Sequence, residues 1–183
     1  MRQRIMIALA LVLRPRVRVA DEPTTALDVS VEAQMLGILA DLRRNFDTSL
    51  LLITHNLGIV AEACDRVAVM YAGRIVEQGS AYDVTTKPSH PYSRELLRST
   101  ISLSTVQLHS IPGAPPDLVN PPQACRFHPR CPDAMKICAQ TWPPTVATGP
   151  ARRSECWLHK LQDIPAGMEA PIEREVLAVA EEA

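Results

Sequence analysis

No stretch of this 183-residue chain reads G-x-x-x-x-G-K-[ST], and it holds only seven glycines against sixteen prolines. A loop of that kind grips nucleotide phosphates with backbone N–H groups and a lysine. Its absence excludes a self-contained phosphate grip in these residues. Excess charge is missing too. The formal net charge of −1 offers no electrostatic case for nucleic acid as a partner. Long apolar runs are absent: the longest, Ile5 to Leu13, covers nine residues, far short of the roughly 20 that span a bilayer. It follows the basic start MRQR as in a signal peptide. Arg14, Arg16 and Arg18 stand where a small-residue cleavage site should be, which disfavours secretion. No internal repeat is visible.

What is present is a chain 46% hydrophobic, enough for a core. Ile5–Leu13 reads as a buried helix ended by Pro15. Val17–Ala20 reads as a strand, with Arg18 awkward inside it. Ser30–Arg44 is an amphipathic helix with Val31, Met35, Ile38, Leu39 and Leu42 on one face, and Asp28 or Ser30 can cap it. Ser49–Thr54 is a continuous apolar run, suited to a strand covered on both faces. Leu57–Ala63 is a short helix. Arg66–Tyr71 and Arg74–Gln78 flank Ala72-Gly73 as a hairpin. Ser80–Thr86 and Tyr92–Thr100 are further short helices. Strand, helix, strand, helix and hairpin predict an α/β fold with a parallel sheet. After Leu108 the pattern dissolves into IPGAPPDLVNPPQ, a linker, then a cysteine-bearing segment. An acidic, Ala-rich tail from Asp163 is expected to fray or be disordered.

The stretch VRVADEPTTALD puts two acids, Asp21 and Glu22, at the exit of a strand. Ligands of open α/β sheets bind at strand carboxyl ends. There an Asp can hold Mg²⁺ through hard oxygen ligands, and a Glu can orient or deprotonate water. A helix cap is the plainer reading of an isolated acid pair. The second strand shifts the balance, because it ends at His55, an imidazole able to hydrogen-bond a phosphate or the attacking water.

These motifs resemble the hydrolytic half of the nucleotide-binding domain of ABC transporters. VRVADEP resembles the Walker B strand, which implies Asp21 as the magnesium-site acid and Glu22 as the catalytic glutamate. TTALD resembles the D-loop, with Asp28 at its acidic, nucleotide-side position. LLITHN resembles the switch strand, with His55 as its histidine. MRQRIMIALAL resembles the helix after the family's signature motif, and AVMYAGRIVEQGSAYDV the closing hairpin and following helix. KPSHPYSRELL, IPGAPPDL and the cysteines behind them are similar to the ATPases of oligopeptide and dipeptide importers. Nickel importers share much of this pattern, so the cargo stays open.

The resemblance covers about residues 1–100 densely. It implies a partial ABC-type P-loop domain over residues 1–86, a helical extension over 87–108, a proline-rich linker and cysteine segment over 109–162, and the tail over 163–183. It also implies ATP and Mg²⁺ as cofactors, a second ATPase subunit and two transmembrane permease subunits as partners. A peptide-binding protein acts indirectly, outside the membrane. The implied location is peripheral, at the cytoplasmic face of the plasma membrane. The phosphate loop, glutamine loop and signature motif precede the Asp-Glu pair in the family, so the chain is expected to begin midway through its domain and to be inactive alone. Either the sequence starts at an internal methionine, or a short product acts as a non-catalytic metal-binding or interaction fragment.

Five cysteines complete the inventory. Cys64 stands alone and reads as a small buried hydrophobe. Cys125, Cys131, Cys138 and Cys156 cluster in one proline-stiffened segment. Their gaps are longer than the two to four residues usual between paired zinc ligands. A [4Fe-4S] cluster also takes four cysteines, and CRFHPRCPDAMKIC resembles a motif that some members of the importer group use for one. Zinc, or no metal, remain the alternatives. A cytoplasmic setting disfavours disulfides. His128 and His159 could substitute as ligands, but read most simply as surface residues.

Overall fold

The computed structural model describes Leu9, Val12 and residues 15–24, 29–46, 49–99 and 110–172. The expected helix Ile5–Leu13 therefore lies largely outside the described residues, and so does Asp28. The chain divides into two compact units, Met1–Asp65 and Arg66–Ala183.

The first unit is built on two parallel strands, β1 (Val17–Asp21) and β2 (Ser49–Ile53), in register from Val17 opposite Ser49 to Asp21 opposite Ile53. Helix α1 (Val29–Phe46) forms the crossover between them, as a parallel pair requires. Of its expected apolar face, Met35 is buried, Ile38 and Leu39 are half-buried, and Val31 is exposed. Helix α2 (Leu57–Ala63) follows β2 and buries Ile59 and Val60. Asn56 starts it, because its Oδ1 accepts from the N–H groups of Gly58 (3.0 Å) and Ile59 (3.4 Å). Arg18 is half-buried within β1.

The second unit opens with the expected hairpin, β3 (Arg66–Tyr71) and β4 (Arg74–Ser80), joined at Ala72-Gly73. Both turn residues have positive φ, +47° and +80°, the hand that matches strand twist in a two-residue loop. Ser80 caps α3 (Ala81–Thr86), accepting from Asp83 N–H at 3.0 Å. His90 caps α4 (Pro91–Arg98), with Pro91 where a missing N–H costs nothing. The core gathers Val69, Tyr71, Val76, Val84, Phe127, Cys131 and Ala134. Phe127 lies at its centre, packed against the rings of Tyr71 (5.1 Å) and Tyr92 (5.3 Å).

Past the proline-rich stretch the chain has more order than the pattern promised. It forms α5 (Lys136–Gln140), β5 (Thr145–Gly149) and β6 (Arg152–Glu155), then two short 3₁₀ turns at Trp157–His159 and Leu161–Asp163. Strand β6 pairs antiparallel with β4, giving one sheet in the order β3-β4-β6-β5. Residues 164–172, expected to belong to a frayed tail, run back along Ala134–Ile137. The N–H groups of Lys136 and Ile137 donate to Ala170 O (3.0 Å) and Met168 O (3.1 Å). Their backbone groups thus have partners, and Ile164 and Met168 pack on Ile137 and Cys138. No described helix is long and apolar enough to cross a membrane.

Candidate functional site

Because β1 and β2 are parallel and level, both deliver their next residues to one edge. Glu22 N–H donates to Ile53 O at 2.8 Å, carrying the ladder one residue past the strand. Glu22 then takes φ +44°, a left-handed conformation that a residue with a Cβ adopts at a cost of about 1–3 kcal/mol. That turn brings its carboxylate onto the second strand's exit. Oε1 accepts from His55 N–H at 3.1 Å and lies 2.8 Å from His55 Nδ1. An ionised carboxylate only accepts, so Nδ1 carries the hydrogen, and in neutral imidazole Nε2 is then an acceptor. The pair is open to water, with the His55 side chain 82% exposed. Solvent-exposed pairs contribute about 0–1 kcal/mol, so this contact orients groups more than it stabilises the fold.

Asn56 holds the loop that carries His55. Besides capping α2 it donates from its own N–H to Thr54 Oγ1 (3.1 Å) and from Nδ2 to Glu32 Oε1 on α1 (3.4 Å). Asp21, the last residue of β1, is exposed at the same edge. Asp21, Glu22 and His55 therefore lie at one strand edge, two carboxylates and an imidazole, with Glu22 and His55 in contact. Asn56 was not singled out from the sequence, although an Asn just before a helix is a recognisable cap.

The four clustered cysteines share the second unit, while Cys64 caps the end of α2 in the first. None of the five is in a disulfide; Cys131, Cys138 and Cys156 are buried, and Cys125 and Cys64, the latter expected to be buried, are half-buried. Cys125 packs against both the Phe127 core and the smaller cluster of Met135, Ile137 and Cys138. Its N–H donates to Cys138 O at 3.1 Å. Burial pushes the Cys125 thiol up to about 11, with Cys138 adding to the rise. It pushes Cys156 up to about 12, with Cys125 and Cys138 adding. Cys131 is raised by burial and then by Cys156 and Cys125, and Cys138 by burial. Cys125 and Cys156 are thus each within electrostatic reach of the other three thiols.

Among the described residues no three His, Cys, Asp or Glu side chains stand as a single metal ion requires. One zinc with bonds of about 2.3 Å needs sulfurs about 3.8 Å apart, whereas a four-iron cluster spreads its four cysteines more widely. His128 Nδ1 lies 2.8 Å from Cys125 O, and His159 Nε2 lies 3.3 Å from Ser89 O. Each imidazole thus has one ring nitrogen engaged by a backbone carbonyl.

A buried charge pair was not anticipated from the sequence. Glu77 on β4 is fully buried and accepts from Ser89 N–H (2.8 Å), His90 N–H (2.9 Å) and Arg152 Nη2 (2.8 Å). Arg152 also donates to Lys87 O. Burial alone would raise the Glu77 carboxyl, but Arg152 and the two N–H donors outweigh it and hold it below the usual range.

Residues 76–138 match the family described as the oligopeptide/dipeptide transporter, C-terminal region. The oligopeptide transport ATP-binding protein OppD of Salmonella typhimurium is 51% identical over 159 residues, 86% of this chain and 47% of its own length. The dipeptide transport ATP-binding protein DppD of Bacillus subtilis is 46% identical over 160 residues, 86% of this chain and 48% of its own. A solved chain of cbiO1 from Clostridium perfringens, part of the ABC transporter complex cbiONQ, has 33% identity. It covers 46% of this chain and 34% of its own, with a TM-score of 0.44, too loose to carry an architectural conclusion. The chain spans about half the length of the curated relatives it matches. Over that half, its sequence is similar to oligopeptide and dipeptide transport ATP-binding proteins.

Proposed function

We propose that these residues supply the hydrolytic half of an ATPase subunit that drives peptide import. The observation that carries the reading is the Glu22–His55 contact at the level ends of two parallel strands. Asp21 would hold Mg²⁺ on the nucleotide, and Asp28 would border the same site. Glu22 is the base. It takes a proton from the attacking water as that oxygen bonds to the γ-phosphorus and the bond to the β-phosphate oxygen breaks. His55 orients the carboxylate and offers its second nitrogen to the γ-phosphate or the water. A second ATPase subunit, two permease subunits and, outside the membrane, a peptide-binding protein complete the assembly, at the cytoplasmic face of the plasma membrane. The names of the relatives support this cargo class.

Phosphoryl transfer is mostly positioning and charge stabilisation, and these 183 residues contain no G-x-x-x-x-G-K-[ST] loop. The chain alone should show no Mg²⁺-dependent ATP turnover. A chimera in which it replaces the matching half of the Salmonella relative should regain turnover. Glu22→Gln in that chimera should abolish turnover and leave ATP bound. Wild-type turnover in the Glu22→Gln chimera would refute the assignment.

The second unit carries its own reading: Cys125, Cys131, Cys138 and Cys156 hold a [4Fe-4S] cluster. The donor set supports it, being four cysteine thiols in one unit, with Cys125 and Cys156 each in electrostatic reach of the other three. Such a cluster supplies a cross-link or one-electron redox chemistry when bound. The same unit, acting without turnover, is the alternative of a metal-binding or interaction fragment. Turnover by the chimera separates this fragment reading from the hydrolytic one, since a non-catalytic fragment would restore none.

A further inference from the structure

Three of the four clustered cysteines have an immediate chain neighbour attached to the same hairpin, β3–β4. Arg126, next to Cys125, donates from Nη1 to Ala72 O in the turn. Arg130, next to Cys131, reaches Tyr71 Oη at 3.5 Å. It also ties the loop before the cysteines, donating to Ile111 O (2.9 Å) and Pro112 O (3.0 Å). Glu155, next to Cys156, accepts from Arg74 Nη2 at 2.9 Å. The Arg74 guanidinium also lies over the Trp142 ring, 4.5 Å from its centre, with Arg126 at 6.0 Å from the same ring. Four consecutive hairpin residues, Tyr71 to Arg74, thus sit under a segment more than fifty positions away in sequence.

The turn is suited to this. Ala72 and Gly73 both have positive φ, which fixes its shape. A Cβ on Gly73 would stand 3.3 Å from Arg126 Nη1. The glycine therefore serves the turn and also leaves room for the guanidinium. Cysteines 31 positions apart, Cys125 and Cys156, are each one residue from a side chain bound to that turn. Ligands brought from such separation are gathered at an entropic cost that a pre-set anchor lowers.

We propose that the β3–β4 turn is the template that sets the spacing of the cysteine ligands, with Arg126, Arg130 and the Arg74–Glu155 pair as positioning residues. The proposal rests on the reading that these cysteines hold an iron–sulfur cluster. Partners that orient metal ligands typically account for a ten- to hundredfold change in metal affinity.

The test uses the whole chain, purified without air and reconstituted with ferrous iron and sulfide. Iron and sulfide content, visible circular dichroism and the rate of bleaching by a strong iron chelator are measured on wild type, Arg126→Ala, Arg74→Ala and Glu155→Gln. The exposed Arg153 on β6 supplies the control, Arg153→Ala. The three variants should bleach about tenfold faster or more, with altered visible dichroism, under conditions where far-ultraviolet dichroism shows them folded. The control should match wild type. The charge exchange Arg74→Glu with Glu155→Arg should recover part of the loss, which general destabilisation would not allow. Where an arginine variant does not fold, the near-isosteric Glu155→Gln decides. A loaded wild type with folded variants that bleach at its rate overturns the template and leaves the cluster reading intact. A wild type that takes up no iron overturns the cluster reading and the template with it.

Discussion

Replacing Arg152 by methionine should be among the most damaging single changes in the second unit. The Arg152 side chain is 10% exposed and Glu77 is fully buried. The substitution keeps an unbranched stem passing over Gly79, whose missing side chain makes room for it. It removes only the guanidinium. Glu77 then keeps the N–H groups of Ser89 and His90 and loses the Arg152 guanidinium. Removing one partner of a buried pair typically costs about 3–5 kcal/mol, because the other charge is left uncompensated. The two remaining N–H donors argue for the lower end, about 3 kcal/mol. With a urea slope of about 1–3 kcal/mol/M, the midpoint should fall by roughly 1–3 M. Both tryptophans, Trp142 and Trp157, lie in the second unit, so intrinsic fluorescence reports its unfolding selectively. Adding Glu77→Gln should recover part of the loss, since an amide oxygen still accepts from the two N–H groups without carrying a charge. A midpoint within about 0.3 M of wild type would mean that Glu77 is solvated, and would refute the account of the pair.

The buried His90 should make the same unit acid-sensitive. Burial holds its imidazole down to about 4, against Glu77, whose charge raises it, while His159 and Arg94 lower it further. The unfolded chain therefore takes up a proton below its ordinary value of 6.5 that the folded one refuses. Stability should be intact above about pH 6.5 and fall as pH drops towards 4, by about 3 kcal/mol over the window. Below that, protonation of the depressed Glu77 carboxyl adds a loss of the same sign. His90→Asn keeps an acceptor for Tyr92 N–H and should flatten the pH 4.5–6.5 part of a urea-midpoint profile, and an unchanged slope would refute the assignment. Gly79→Ala should cost about 1–3 kcal/mol in the same assay, because its Cβ would stand 3.1 Å from Arg152 Cγ and 3.3 Å from Val84 Cγ2.

What was legible in the sequence follows from where each element draws its order. Past Ser49, LLLI is an apolar run, and VEAQMLGILADL repeats at helical spacing. Apolar patterning therefore marks β2 and α1, although β2, expected to be covered on both faces, leaves Leu51 and Ile53 exposed. The acid pair and His55 could be assigned to one edge because two strands joined by a helical crossover run parallel and end level. Their contact depends on the left-handed turn at Glu22, which no residue-type preference announces. Strands β5 and β6 escaped notice for the opposite reason. TVATG and RRSE hold one large apolar residue between them, Val146. Strand β6 is ordered by pairing with β4 and by the Glu77–Arg152 contact, both set by residues far away in sequence. The bulge between Val69 and Met70 breaks simple alternation in the hairpin, so Val76 and Glu77 are buried side by side. A charged residue in such a place looks solvent-facing until its arginine is found 75 positions later. The same holds for Arg126, Arg130 and Glu155. Read singly they are surface charges between cysteines, and only the fold reveals that all three lead to one hairpin.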